Sequence, residues 1–193
     1  AKAVILATGG VGRAFAVTSN SWESSGDGQG LAYRAGAELI DMEFVQFHPT
    51  GMVHPAGVKG LLVTEAVRGE GGILRNAEGE RFMWRYLPED RRDEYAATDE
   101  EARAWVDDLT EGRQSSNRLP PELSTRDNVA RAIYTEVKEG RGSPHGGVFL
   151  DISYLPAERV QAKLPSMYEQ FKELADVDIT AGPMEVGPTM HYI

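Results

Sequence analysis

The chain has 193 residues, of which 41% are hydrophobic and 26% charged, enough for one domain with a sizeable core or for one domain plus pieces of a neighbour. No apolar run approaches the ~18 residues that a membrane span needs, and with no cysteine the chain forms neither a disulfide nor a thiolate-ligated cluster. Four scattered histidines make no zinc signature, so no metal site is expected, and a net charge of -10 argues against nucleic-acid binding while leaving small anionic ligands open through a local cationic pocket.

The opening run Val4-Ile5-Leu6-Ala7, bounded by Thr8-Gly9-Gly10, reads as a buried parallel strand. It follows neither an initiator Met nor a leader-like segment, so the chain is expected to begin inside an α/β domain. The mixed apolar Thr189-Met190-His191-Tyr192-Ile193 has no polar tail and is expected to continue into a longer chain. Residues 24–30 carry a turn signal, and residues 31–39 a helical pattern ending near Gly36. Phe44-Val45-Gln46-Phe47 predicts a strand running into His48-Pro49-Thr50-Gly51, and Leu61-Leu62-Val63-Thr64 predicts another. Gly71-Gly72-Ile73-Leu74 and Arg81-Phe82-Met83 flank the turn Asn76-Ala77-Glu78-Gly79 as a hairpin. Here the α/β alternation gives way to antiparallel pieces.

Residues 87–125 hold eleven acids against five arginines, with Ala102, Trp105 and Leu109 at helical spacing, and read as a solvated helical excursion. From Asp127 to Glu139 the apolar positions Val129, Ala130, Ile133, Tyr134 and Val137 predict a helix, with Thr125 as N-cap and Gly140 beyond its end. Val148-Phe149-Leu150 predicts a strand, and residues 157–174 two short helices separated at Pro165, with Met167, Phe171 and Leu174 on one face. The expected fold class is α/β plus α+β: part of a doubly wound domain, then an inserted α+β domain of roughly 140 residues, with the boundary near residues 43–48.

Several polar residues stand where such a scaffold would expose them: His48 after a strand, Thr64 and Glu65 at a strand end, Arg126 at a helix start, and His191 near the terminus. Each has an ordinary alternative. A lone histidine is often a half-buried packing residue, Thr64 suits any strand, and Glu65, Arg68 and Glu70 could form a solvated loop with weak ion pairs. Arg126 would oppose the dipole at the start of its helix. A bound anion would resolve that conflict, and so would pairing with Asp127 or with an acid from the excursion.

Five motifs occur in order: Gln46-Phe47-His48-Pro49-Thr50-Gly51, then residues 62–72 (LVTEAVRGEGG), Gly79-Glu80-Arg81-Phe82-Met83, Thr125-Arg126-Asp127, and Pro188-Thr189-Met190-His191-Tyr192. Together the chain resembles the flavoproteins of the succinate dehydrogenase, fumarate reductase and L-aspartate oxidase family, over all but the acidic excursion. The resemblance implies a partial FAD-binding segment over residues 1–45, a capping domain over 46–187 and a return segment over 188–193. It assigns substrate carboxylate binding to His48, Thr64 and His191, proton transfer to Arg126, and a proton relay to Glu65 and Arg68. Arginine is an unusual acid, its unperturbed pKa exceeding ~12, so such a role requires fast proton exchange with neighbours.

Thr8, Gly9 and Gly10, with Asp27, look like the family's flavin-side segments. The dinucleotide fingerprint Gly-x-Gly-x-x-Gly is missing from this sequence, so FAD is expected in a full-length parent and weakly held or absent in this chain alone, which is expected to be inactive. By the same resemblance the parent acts on succinate or fumarate and pairs with an iron–sulfur subunit. Other chains, forming a membrane anchor, would hold it at the cytoplasmic face, with no span of its own. Residues 139–147 (EGRGSPHGG) and the stretch 164–180 resemble dehydrogenase subunits more than L-aspartate oxidase. A non-catalytic interaction module, docking a basic partner on the excursion around Trp105, is the reading from another class. His54 and His145 receive no role.

Overall fold

Four short segments pair into one antiparallel sheet in the computed structural model, which describes residues 1–192. They are β1 (Gln46–Met52), β2 (Ile73–Arg75), β3 (Val148–Asp151) and β4 (Met184–Tyr192), in the order β1-β4-β3-β2. Strand β4 serves two partners. Its first half meets β3 through Val148↔Val186 and Leu150↔Met184, and its second half meets β1 through Met52↔Val186, His48↔Thr189 and Gln46↔Tyr192. Beside that second half lie residues 17–19, with Ser19 N–H donating to Met190 O at 2.9 Å and Met190 N–H to Val17 O at 3.0 Å.

Apolar residues on the sheet and helices close the core: Met52, Leu74, Leu150, Met184 and Val186 pack with Val67, Phe82, Ile133 and Phe171. The helices are α1 (Asp27–Arg34), α2 (Ala66–Gly69), α3 (Asp99–Thr110), α4 (Arg126–Lys138), α5 (Ala157–Lys163) and α6 (Pro165–Ala175). Helix α4 packs on β1 and β4 with Val129, Ala130, Ala132 and Ile133 buried. Tyr134, counted with the apolar face, is exposed. Thr125 precedes the helix in extended conformation but its side chain makes no cap bond; instead Asn128 bonds Ser124 at 3.0 Å. Gly140 turns the chain beyond α4 with φ 82°, a conformation that costs a side-chain-bearing residue.

Other expectations shift. Residues 4–7 form no strand, and Val4 and Ile5 are 78% and 91% exposed; a buried parallel strand needs neighbours on both edges and cover on both faces, and among the described residues none supplies them. The sheet that does form is antiparallel. Helix α1 starts earlier than the periodicity implied, at Asp27 after Gly26 in the left-handed region, and ends at Arg34 before Gly36. Strand β1 begins at Gln46 and continues through the motif to Met52, because the register shifts between His48 and Gly51 and that irregularity accommodates Pro49. His48 therefore lies within the strand.

Residues 61–64 make only the Leu62↔Gly51 bridge before the chain turns into α2. The hairpin around residues 76–79 closes with a single bridge, Arg75↔Arg81, and Met83–Tyr86 is a 3₁₀ turn. In the excursion α3 is well started: Thr98 Oγ1 accepts from Glu101 N–H at 3.3 Å while the Glu101 carboxylate accepts from Ala97 N–H at 2.9 Å. Its Ala102 and Val106 are buried, with Trp105 and Leu109 half-buried. The break at Pro165 separates α5 from α6, which buries Met167 and Phe171 but leaves Leu174 at the surface. No described helix is long and apolar enough to cross a membrane.

One buried carboxylate ties α4 to the hairpin turn. Glu136 accepts from Tyr86 Oη at 2.6 Å, Arg141 Nε at 2.7 Å, Asn76 Nδ2 at 3.0 Å and Arg85 at 3.1 Å. Burial pushes its pKa up, but these donors outweigh burial and hold it at about 2. A carboxylate with a depressed folded-state pKa contributes stability above its unfolded value near 4.5 and loses it as pH falls toward 2. Glu136→Gln is expected to cost about 2–4 kcal/mol, or about 5–15 °C in Tm at neutral pH. Thermal melts of both proteins at pH 7 and pH 3 would check this, the gap between them narrowing at the lower pH.

Candidate functional site

The antiparallel pairing of β1 with β4 sets His48 on one strand near His191 on the other, with ring centroids 5.4 Å apart and planes at 63°. His191 is located from outside the sheet, its Nδ1 2.9 Å from Ser19 Oγ and its carbonyl accepting from Asn20 Nδ2 at 2.8 Å. His48 is 2% exposed, its Nδ1 3.0 Å from Thr50 O. Burial pushes its pKa down to about 4; the Thr50 carbonyl opposes this and the charges of Arg68, His191 and Arg126 assist it. At neutral pH the ring is uncharged. Burial and the charge of Arg126 lower His191 as well.

Thr64 is half-buried where the chain enters α2, and its carbonyl accepts from Val67 N–H at 3.2 Å. Glu65 precedes α2 and Arg68 lies within it, which corrects the strand end expected there. Arg126 comes from the first residue of α4, and its Nε donates to Glu65 Oε2 at 2.9 Å while Nη1 donates to Gln46 at 3.2 Å. The same Glu65 oxygen is 3.7 Å from Arg68 Nη2. One carboxylate thus stands between two guanidinium groups from separate helices. Burial raises its pKa, but the hydrogen bond from Arg126 and the charge of Arg68 outweigh that and hold it below the usual carboxylate range.

The ordinary alternatives separate here. Asp127 pairs with Arg131 at 2.6 Å and not with Arg126, so neither Asp127 nor the excursion supplies the partner of Arg126. Arg68 is 1% exposed, incompatible with a solvated loop. Its Nη1 donates to Glu122 O at 2.6 Å, while Nε and Nη2 are buried and have no hydrogen-bond partner among the described residues. Burial lowers its pKa, opposed by the Glu65 carboxylate.

A groove of about 890 Å³ opens beside this arrangement, lined by Gln46, Phe47, Glu65, Arg126, Arg131 and Tyr134 among others. It takes in Glu65 and Arg126 but not His48, Thr64 or His191.

The segments Thr8-Gly9-Gly10 and Gly26-Asp27-Gly28 meet each other. A Cβ on buried Gly28 would collide with the Thr8 hydroxyl, and Gln29 Nε2 donates to Gly9 O at 3.3 Å. Gln29 Oε1 is buried with no hydrogen-bond partner among the described residues. Asp27 opens α1, exposed, and accepts from Ser25 Oγ at 2.9 Å. Further along the loop, Gly12 packs against Asn20, the residue that holds the His191 backbone. Among the described residues no cluster of histidine and acidic side chains could hold a metal ion.

Sequence reasoning missed Gln46 as a partner of Arg126, although it opens the first motif, and missed Ser19 and Asn20, which sit in a polar stretch without periodicity. It also missed Glu122, counted among the solvated acids of the excursion. Its flanks, Leu119-Pro120-Pro121 and Leu123, carried the signal of a buried turn. NMR titration of the isotope-labelled histidines is expected to give His48 a midpoint of about 4. Because that value lies below the unfolded one near 6.5, the unfolded chain binds the extra proton and His48 lowers stability as pH falls from 6.5 toward 4. A midpoint near 6.5 would mean the ring is solvated.

A family model described as FAD binding domain matches residues 1–193. The chain is 51% identical over 192 residues to a fumarate reductase (CoM/CoB) subunit of Methanothermobacter marburgensis, covering 100% of this chain and 29% of that one. Among solved structures it is similar to Mycobacterium smegmatis Sdh1 in complex with UQ1, with 55% identity, TM-score 0.67, and coverage of 99% of this chain and 27% of the other. A quinol-fumarate reductase with menaquinol molecules superposes with TM-score 0.74 at 36% identity, covering 97% of this chain and 29% of that one. The chain spans under a third of the length of these proteins.

Proposed function

The chain belongs to the FAD-binding domain family, and from that premise we propose that it is a segment of the flavoprotein subunit of a succinate dehydrogenase or fumarate reductase. The observation that carries this reading is the Glu65 carboxylate shared between Arg126 and the buried Arg68, beside the His48–His191 pair. The names of the similar proteins support succinate and fumarate over L-aspartate as substrates.

Oxidising succinate to fumarate removes a hydride from one methylene carbon and a proton from its neighbour. FAD, when bound, supplies the hydride acceptor. Thr8, Gly9, Gly10 and Asp27 are its candidate contacts: Thr8 and Gly28 bring the two segments into close contact, and among the described residues Gln29 Oε1 has no hydrogen-bond partner. His48, Thr64 and His191 hold the two substrate carboxylates by hydrogen bonds, with fixed geometry replacing random encounter. An imidazole that is neutral at pH 7, such as His48, donates through whichever nitrogen carries its single proton.

Arg126 takes the substrate proton as it passes one of its own to Glu65 along the 2.9 Å hydrogen bond. Glu65, which is exposed, then releases that proton toward solvent, Arg68 taking part only by giving up one of its own protons as it receives one, so that both guanidinium groups end charged as before. Fumarate reduction runs the same transfers backward. Residues 1–45 would be the FAD-binding part, 46–187 the capping domain and 188–193 the return. The whole protein would work at the cytoplasmic face with a membrane anchor and an iron–sulfur subunit.

Steady-state kinetics of the full-length flavoprotein with succinate and an artificial acceptor test the central role. Arg126→Gln and Arg126→Lys are each expected to lower kcat by about 10²–10⁴ with succinate still bound. Near-normal turnover in both would make Arg126 structural and remove the proposed mechanism. The 193-residue chain purified alone is expected to lack stoichiometric flavin absorbance, since it spans only 29% of its relative; stoichiometric FAD in it would overturn that expectation.

A further inference from the structure

Glu122 is 0% exposed in a chain of net charge -10, whose other acids in the excursion lie at or near the surface. It sits in a 3₁₀ turn, Pro121–Leu123, four residues before Arg126. Its carboxylate is gripped on both oxygens: Arg81 Nε donates to Oε1 at 2.7 Å and Arg81 Nη2 to Oε2 at 2.6 Å, and Leu74 N–H adds a bond to Oε1 at 3.3 Å. Arg81, half-buried, reaches outward to exposed Asp99 at 2.6 Å and stacks over Trp84.

A buried ion pair is a weak source of stability, because desolvation offsets much of the attraction, whereas a bidentate fork fixes orientation. What this fork fixes is the Glu122 peptide unit. Its carbonyl is the hydrogen-bond acceptor of Arg68 at 2.6 Å, and among the described residues Arg68 has no other such partner, Nε and Nη2 being unpaired. The 3.7 Å approach of Arg68 to Glu65 therefore depends on where that carbonyl stands. The same short segment leads through Ser124, tied to Asn128, into Arg126. Moving Glu122 would move both guanidinium groups that flank Glu65.

We propose that Glu122, clamped by Arg81, is a positioning residue for proton transfer, setting Arg68 through its backbone carbonyl and Arg126 through the start of α4. This rests on the relay reading of Glu65, Arg68 and Arg126. Neither Glu122 nor Arg81 touches the substrate in this scheme. A displacement of the relay by a fraction of an ångström would slow proton transfer and leave carboxylate binding by the histidines intact.

The test uses the full-length flavoprotein with Glu122→Gln, Arg81→Lys and Arg68→Lys, measuring kcat, KM for succinate, flavin content and the solvent deuterium isotope effect on kcat. Glu122→Gln and Arg81→Lys are expected to lower kcat about 10- to 100-fold with KM within about threefold, full flavin content and a larger isotope effect. Should Glu122→Gln fail to fold, Arg81→Lys, which keeps the cation but loses the fork, carries the test. Wild-type kcat and isotope effect in the folded variants would overturn the proposal. So would a loss of kcat that tracks lost flavin with an unchanged isotope effect, since that is a purely structural role. Arg68→Lys separates the two readings: if it is slow while the clamp variants are normal, only the positioning role falls, and if it too is normal, the relay falls with it.

Discussion

Everything that converges on the candidate site depends on β4 being paired along both halves, to β3 by its beginning and to β1 by its end. Backbone hydrogen bonds in a sheet are directional, and the register they set decides which side chains come opposite. The His48↔Thr189 register brings residue 191, at the far end of the sequence, to the ring of His48. The loop 17–20 is drawn to the same strand and adds Ser19 and Asn20 around His191. Through Gly12 that loop also reaches the segment where Thr8 and Gly28 meet. One strand therefore connects the surroundings of His48 and His191 with the segment where Thr8 and Gly28 meet.

Buried charge sets the second constraint. An acidic chain of net charge -10 nonetheless gathers two guanidinium groups at one place, and it does so by giving each a dedicated polar partner. Arg126 has Glu65 and Gln46, and Arg68 has the Glu122 carbonyl. Glu136 and Glu122 play comparable parts at different ends of α4, each a carboxylate fully removed from solvent and surrounded by donors. The first joins the helix end to the hairpin turn, and the second stands just ahead of the helix start. Between these two carboxylates α4 packs on β1 and β4, and Arg126 stands at its first residue.

The helices with an uninterrupted apolar stripe were legible in the sequence, since 3.6-residue periodicity is a local property. Helix α4 is found within a residue of its expected limits, and α5 and α6 divide at Pro165. Segments whose pattern promised strands fared unevenly for a physical reason. Residues 4–7 are apolar enough for a buried strand, but a strand exists only if another pairs with it, and among the described residues none does. Residues 61–64 reach β1 with one bridge and then turn into α2. Strand β1 extends through Pro49 because a bulge, which no local pattern announces, removes the conflict.

The sequence by itself determined the family resemblance, since five motifs in order are a property of the chain and need no coordinates. It also marked His48, Thr64, Glu65, Arg68, Arg126 and His191 as the residues to examine. Only the tertiary structure decided which of them meet: Glu65 with Arg126 and not Asp127, His48 with His191, and Arg68 in the interior and not in a solvated loop. It also gave Glu122 its place. Composition counted that residue as one more surface acid, whereas the fold surrounds it with Arg81 and the Leu74 amide. The reason is that a charged side chain's environment is set by partners far away in sequence, here 41 and 48 residues distant, and no local pattern encodes contacts at that range.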